Sequence, residues 1–169
     1  MPKTTKTSPR EFTLLSAFQL LVAILISQMA GIIGAVFTTS SISSWYVYLS
    51  KPFFNPPNWL FGPVWTMLYA MMGIALFLVW RQRHDDTRVH MALRWFFAQL
   101  ALNTLWSIVF FGWKELWLGV VVILVMWWLI FKTIKAFAPI SQWASWLLYP
   151  YLAWVSFATL LNLSIALLN

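Results

Sequence analysis

The sequence predicts an all-α membrane protein, a five-transmembrane-helix bundle with a long structured loop between helices 1 and 2. Three observations predict it. Of 169 residues, 62% are hydrophobic and 9% are charged; a soluble domain carries about 25% charged residues, so this chain could not cover a water-facing surface. Five segments reach the roughly 20 mostly apolar residues that cross a hydrocarbon core. Runs such as "VVVILVMWWLIF" do not alternate as barrel strands must, and a helix is then the structure that pairs every backbone group in lipid.

The first span covers about residues 12–37, after the basic start "MPKTTKTSPR". It is too long for a signal h-region of roughly 7–15 residues, and no convincing small-x-small site ends it. It therefore reads as a helix, not a cleaved leader. Its stretch "SQMAGIIGA" offers small-xxx-small steps, Ser27–Gly31–Ala35 or Ala30–Gly34. Such steps suit close helix approach, within the bundle or at a dimer face. The later spans cover about 59–80, 90–111, 115–137 and 142–168, joined by "RQRHDDTRVH", "GWK" and "APIS". Only the first connection, about 38–58, is long. No internal repeat is visible, and 1–169 reads as one transmembrane domain.

Five helices put the termini on opposite sides. The amino-terminal side then holds nine of the eleven lysines and arginines, and the other side only Lys51 and Lys114. The positive-inside rule places the amino terminus in the cytoplasm of a bacterial-type membrane. The net charge of +7 reflects this topology and anionic head groups, not nucleic acid, because the basic residues form no stripe on a soluble domain. Trp45, Trp59, Trp80, Trp113, Trp117 and Trp143 fall near span ends, where interfacial aromatic belts form.

Several chemistries are excluded. There is no cysteine, hence no disulfide, thiolate ligand or cysteine nucleophile. The acids Glu11, Asp85, Asp86 and Glu115 lie at span ends or in loops, and both histidines, His84 and His90, lie in one loop. Without a carboxylate or histidine inside a span, proton-coupled transport, acid–base catalysis and an intramembrane metal site lack their groups. The "HDDTRVH" cluster has metal-ligand residue types but reads as a solvated hairpin, so no metal or resident cofactor is expected.

The spans instead carry aromatic and neutral polar stripes. Gln99, Asn103, Trp106 and Phe110 fall at i, i+4, i+7 and i+11, Trp65, Tyr69, Met72 and Leu76 share a face, and Trp154, Ala158, Leu161 and Asn162 share another. Amides prefer the bundle interior to lipid. These stripes are either ordinary helix packing or a cavity for a large, flat, mostly apolar ligand.

The stretch "WYVYLSKPFFNPPNWLFGPVWTMLYAMMG", the run "QLALNTLWSIVFFG" and the run "LLYPYLAWVSFATLLN" together resemble the tryptophan-rich sensory protein/translocator protein (TspO/MBR) family. The resemblance covers about residues 12–168. It implies five tilted helices, a loop folded over a pocket, a porphyrin, haem or other flat hydrophobic ligand, and a homodimer. By motif, the pocket would take Tyr46 from the loop, Trp65 and Tyr69 from the second span, Asn103, Trp106, Ser107 and Phe110 from the third, and Trp154, Ala158 and Leu161 from the fifth. Trp65 and Trp154 would be the residues tied to porphyrin photochemistry. Two departures stand out. The run "ATLLNL" puts Leu163 where the animal sterol motif has tyrosine, and no arginine follows Arg94. In "KPFFNPPNW", Phe54 replaces a frequent tryptophan, and Asn55 and Asn58 stand where animal forms have histidine.

The loop is expected to act as a lid. Pro52, Pro56 and Pro57 fix their own φ and bias the residues before them away from helix, and a stiff lid loses less entropy on ordering. Phe53, Phe54 and Trp59 would plug the mouth or anchor at the interface. Lys51 would cap loop carbonyls or touch a head group, or pair with a ligand carboxylate. Three functions follow in order: a receptor or sensor for porphyrin-type ligands, a light-dependent porphyrin-degrading enzyme, and a tetrapyrrole or sterol transporter, for which no coupling element is visible.

Overall fold

Backbone groups in hydrocarbon must pair within their own segment, so each apolar run should be helical from cap to cap. The structure, a computed structural model, describes residues 13–82 and 87–169. Among them, five stretches are long and apolar enough to cross a membrane. The helices are α1 (Leu14–Ile42), α2 (Asn58–Trp80), α3 (Thr87–Ser107), α4 (Leu116–Phe137), α5 (Gln142–Leu147) and α6 (Tyr149–Leu168). Phe12 and the basic leader lie outside the described residues.

Three boundaries differ from the hydropathy reading, each for a local reason. The first span does not end at Phe37. The hydroxyls of Thr38, Thr39 and Ser40 donate to the carbonyls of Gly34, Ala35 and Val36 at 3.1, 2.8 and 3.2 Å, so polar residues satisfy themselves on the helix and α1 runs on to Ile42. The third span closes in a π turn over Ile108–Gly112, with the Trp113 amide donating to the Ile108 carbonyl at 2.8 Å. The Ser41 hydroxyl donates to the Phe111 carbonyl there at 2.7 Å. The fifth span, expected as one helix over 142–168, breaks at Leu148. Pro150, in the first turn of α6, has no N–H to continue the α5 ladder.

The helices close a ring. α1 packs on α2 and α3, α3 on α4, α4 on α6, and α5 returns to α2. Met72, Phe96, Met126, Ile130, Phe137 and Tyr151 are fully buried at its centre. Every buried polar side chain among the described residues is neutral, as a hydrocarbon setting demands. The small residues of α1 are used inside the chain: Ala23, Ser27, Ala30 and Gly34 are buried, and the Thr104 hydroxyl reaches the Ala30 carbonyl at 3.1 Å. Leu21, Leu25, Met29, Ile33 and Val36 on the opposite face of α1 are exposed, the face expected to meet lipid.

The connection between α1 and α2 is held at four points. A 3₁₀ turn over Tyr46–Tyr48 buries Tyr46, whose ring packs on Phe110 and Phe111 at 6.4 and 5.8 Å. The Tyr46 hydroxyl donates to Asn55 Oδ1 at 2.8 Å. Burial pushes this phenol up to about 12, so it remains a hydrogen donor at neutral pH. Lys51 Nζ donates to the Val47 and Leu49 carbonyls at 3.2 and 2.9 Å and lies 4.9 Å from the Tyr46 ring centroid. The side-chain amide of Asn169 accepts from the Ser50 N–H at 2.9 Å and donates to the Ser50 carbonyl at 3.0 Å, fastening the loop to the end of α6. Phe53 is fully exposed, and Phe54 sets its edge against Phe157.

Candidate functional site

On the loop side of Asn103 the bundle leaves a cavity of about 420 Å³, within the range of small-molecule sites. Its floor is a hydrogen-bonded layer across three helices. The Tyr69 hydroxyl of α2 donates to Asn103 Oδ1 of α3, and Asn103 Nδ2 donates to the Tyr151 hydroxyl of α6 at 2.9 Å. All three side chains are buried.

Flat rings form much of the wall. Trp65 lies over Tyr69, centroids 5.6 Å apart and planes 31° apart, and meets Tyr151 in a T-shaped contact with centroids 6.2 Å apart. Trp106 stacks on Phe110 at 5.4 Å and 18°. Its indole N–H donates to Asn162 Oδ1 at 3.0 Å, which fixes the ring against rotation. The π turn follows directly, and Phe110 and Phe111 are both buried and both on the wall. Tyr46 closes the loop end.

Among the described residues the lining holds no Asp, Glu, Lys, Arg or His. The hydroxyls of Thr38, Thr39 and Thr66 are spent on their own helix carbonyls. The site therefore presents ring faces and few hydrogen-bonding groups. Such a surface can hold and orient a flat apolar body, with hydroxyls and amides as its polar groups. No group of three metal-ligating side chains assembles among the described residues; His84, Asp85 and Asp86 of the "HDDTRVH" loop lie outside them.

Of the residues singled out from sequence, Tyr46, Trp65, Tyr69, Trp106, Ser107, Phe110, Ala158 and Leu161 are brought together on the wall. Asn103 is not on it: it lies beneath, tying Tyr69 to Tyr151. Trp154 is a layer behind. Its ring meets Phe61, which does line the cavity, at 6.1 Å, and its buried indole N–H has no hydrogen-bond partner among the described residues. Lys51, Pro52, Phe54, Pro56 and Pro57 do not line the cavity; they belong to the loop that carries Tyr46.

Sequence reasoning missed the α1 wall, which includes Gln28, Gly31, Ile32 and Ala35, and Asn58, Phe61, Gly62 and Thr66 of α2; Trp59, expected to plug the mouth or anchor at the interface, lines the cavity and is exposed. One signal was present: Gln28 is an amide inside an apolar span, and its Nε2 donates to the Thr66 carbonyl at 3.0 Å. Phe111 and Ile165 carried no separate signal.

Comparison with known proteins agrees with this architecture. The TspO/MBR family model matches residues 23–168. The chain is 44% identical over 156 residues to the tryptophan-rich protein TspO of Archaeoglobus fulgidus, covering 92% of this chain and 99% of that one. It is 40% identical over 139 residues to the tryptophan-rich sensory protein of Cereibacter sphaeroides, covering 80% and 85%. It is 38% identical over 131 residues to the translocator protein of Homo sapiens, covering 77% and 78%. With five membrane-crossing helices and this match over most of its length, the chain is an integral, multi-pass membrane protein that belongs to the TspO/MBR family.

Proposed function

We propose that this protein is a membrane receptor that holds a porphyrin, such as protoporphyrin or haem, or a similarly flat apolar molecule among Trp65, Tyr69, Trp106 and Phe110. The observation that carries the reading is the uncharged, ring-lined cavity of about 420 Å³ under Tyr46. Stacking on aromatic faces supplies affinity without a charged partner, and a wall without charges favours the macrocycle over its carboxylates. The names of its relatives, sensory protein and translocator protein, suit a protein that binds a ligand and reports it. The reading includes a cytoplasmic amino terminus, from the charge asymmetry, and a homodimer. Because Trp65 and Trp106 line the cavity, protoporphyrin added to the protein in nanodiscs should quench tryptophan emission saturably. Linear, unsaturable quenching would refute the reading.

A second reading has one observation in its favour. Trp65 on the wall and Trp154 behind Phe61 form a pair of oxidisable rings beside a light-absorbing ligand. Bound porphyrin illuminated in air would then lose its Soret band, with oxygen as oxidant, and Trp65→Phe with Trp154→Phe should slow the loss several-fold. Loss at an unchanged rate in the double variant would remove these tryptophans from the chemistry.

A further inference from the structure

The exposed part of the cavity lining is confined to one seam. On α1 it comprises Ile32, Ala35 and Thr39, and on α2 Asn58, Trp59, Gly62 and Thr66. Ile32 is 56% and Trp59 72% exposed. The opposite wall, including Phe110, Ala158 and Leu161, is buried. The neighbours of the exposed stripes are Ile33 and Val36 on α1 and Met67 on α2, all large, apolar and exposed, as lipid-facing residues are.

The same seam is tight lower down. A Cβ on Gly73 would lie 2.5 Å from Ile24 Cα, while a Cβ on Gly62 would meet nothing within 4 Å. Between these levels the Gln28 Nε2 bond to the Thr66 carbonyl, 3.0 Å, forms the lower edge of the opening. At the loop end Tyr46 is buried against the cavity, and the segment that follows it is held in place. Between 47 and 57 no residue lines the cavity, and Asn169, Lys51 and Asn55 hold that segment by six hydrogen bonds to Ser50, Val47, Leu49, Tyr46 and Pro56.

We propose that the cavity is entered sideways from the bilayer, through a window between α1 and α2 centred on Ala35 and Gly62, and not through the loop. The proposal rests on the ligand reading above and narrows it: the ligand is one already dissolved in lipid, with an uncharged ring system that leads. Gly62 is four residues from the start of α2, about 6 Å along the helix, so the window opens just inside the hydrocarbon core. An amphipath there keeps polar groups at head-group level while its flat part slides between the helices. That route asks for no charged residue in the cavity, and none lines it among the described residues.

The test is the rate of tryptophan quenching by protoporphyrin dimethyl ester, preloaded in lipid vesicles and mixed with the protein in nanodiscs. Gly62→Phe places a ring in open space and should slow association by about tenfold or more. Asn169→Ala releases the loop clasp and should leave the rate within about twofold. Acceleration by Asn169→Ala with no effect of Gly62→Phe would overturn the lateral route. Unsaturable quenching of the unaltered protein would instead refute the ligand reading, and the window is then judged without a ligand. In this cysteine-free chain, Gly62→Cys should react with a lipid-soluble maleimide and resist a charged one. The reverse pattern would overturn the window itself.

Discussion

Asn103→Ala is expected to destabilise the protein by about 2–3 kcal/mol and to abolish saturable porphyrin binding. The side chain is 1% exposed and serves two phenols at once, accepting from Tyr69 and donating to Tyr151. Each hydrogen bond alone is worth about 1 kcal/mol, and interhelical bonds in membranes average nearer 0.6. The larger cost comes from what remains: two buried hydroxyls deprived of the amide, at about 1–3 kcal/mol each if nothing replaces it. A small cavity adds to that. Thermal unfolding in detergent reads the loss. Its origin is separable from size, because Asn103→Leu combined with Tyr69→Phe and Tyr151→Phe removes every polar partner together and should recover most of the stability. If Asn103→Ala melts with the unaltered protein, or if the apolar triple variant is the less stable of the two, the layer is not what joins α2, α3 and α6. Binding falls because Tyr69 is both a partner of Asn103 and the support of Trp65.

Much of this layer was legible from spacing alone. Gln99, Asn103, Trp106 and Phe110 share a stripe because the 3.6-residue period is a property of the backbone, and an amide in an apolar span has strong reason to turn inward. The same rule exposes its own limit at Asn103. Inward does not mean facing the cavity, and whether an amide ends on the wall or beneath it depends on partners from two other helices. Trp154 is a similar case: Ala158, Leu161 and Asn162 of its stripe line the cavity, whereas its own ring packs on Phe61 of α2, which lines the cavity in its place. The α1 wall was illegible for another reason. Hydropathy marks that helix as lipid-facing, as most of it is, and the window is where one face serves both environments. The π turn at Ile108–Gly112 and the break at Leu148 shift register locally; Pro150 could have signalled the second, but no residue pattern signals the first.

Gly73→Leu is expected to cost about 3 kcal/mol or more and to lower the yield of folded protein. α1 and α2 meet at this glycine: a Cβ here would sit 2.5 Å from Ile24 Cα and 3.0 Å from Ile24 N. Helices in lipid gain little from hydrophobic burial and associate through close packing, so a seam forced apart loses the contact that holds it. Gly73→Ala is the milder form. Overpacking of about 1–3 kcal/mol is offset by about 1 kcal/mol of helix propensity, leaving a net loss of up to about 2 kcal/mol. The clash is with backbone, so Ile24→Ala should not rescue either variant; rescue by Ile24→Ala, or unchanged unfolding of Gly73→Leu, would refute the argument. Gly31 differs. A Cβ there would run into the Tyr69 ring, a side chain that can move, but its displacement would pull the hydroxyl from Asn103. Gly31→Ala should therefore impair binding and stability together, as Asn103→Ala does. Gly62→Phe, built into open space on the same seam, should slow entry and leave the melting temperature unchanged. The three glycines thus separate the seam's functions: Gly73 sets how closely α1 and α2 pack, Gly31 leaves room for the ring that supports the floor, and Gly62 keeps the window clear.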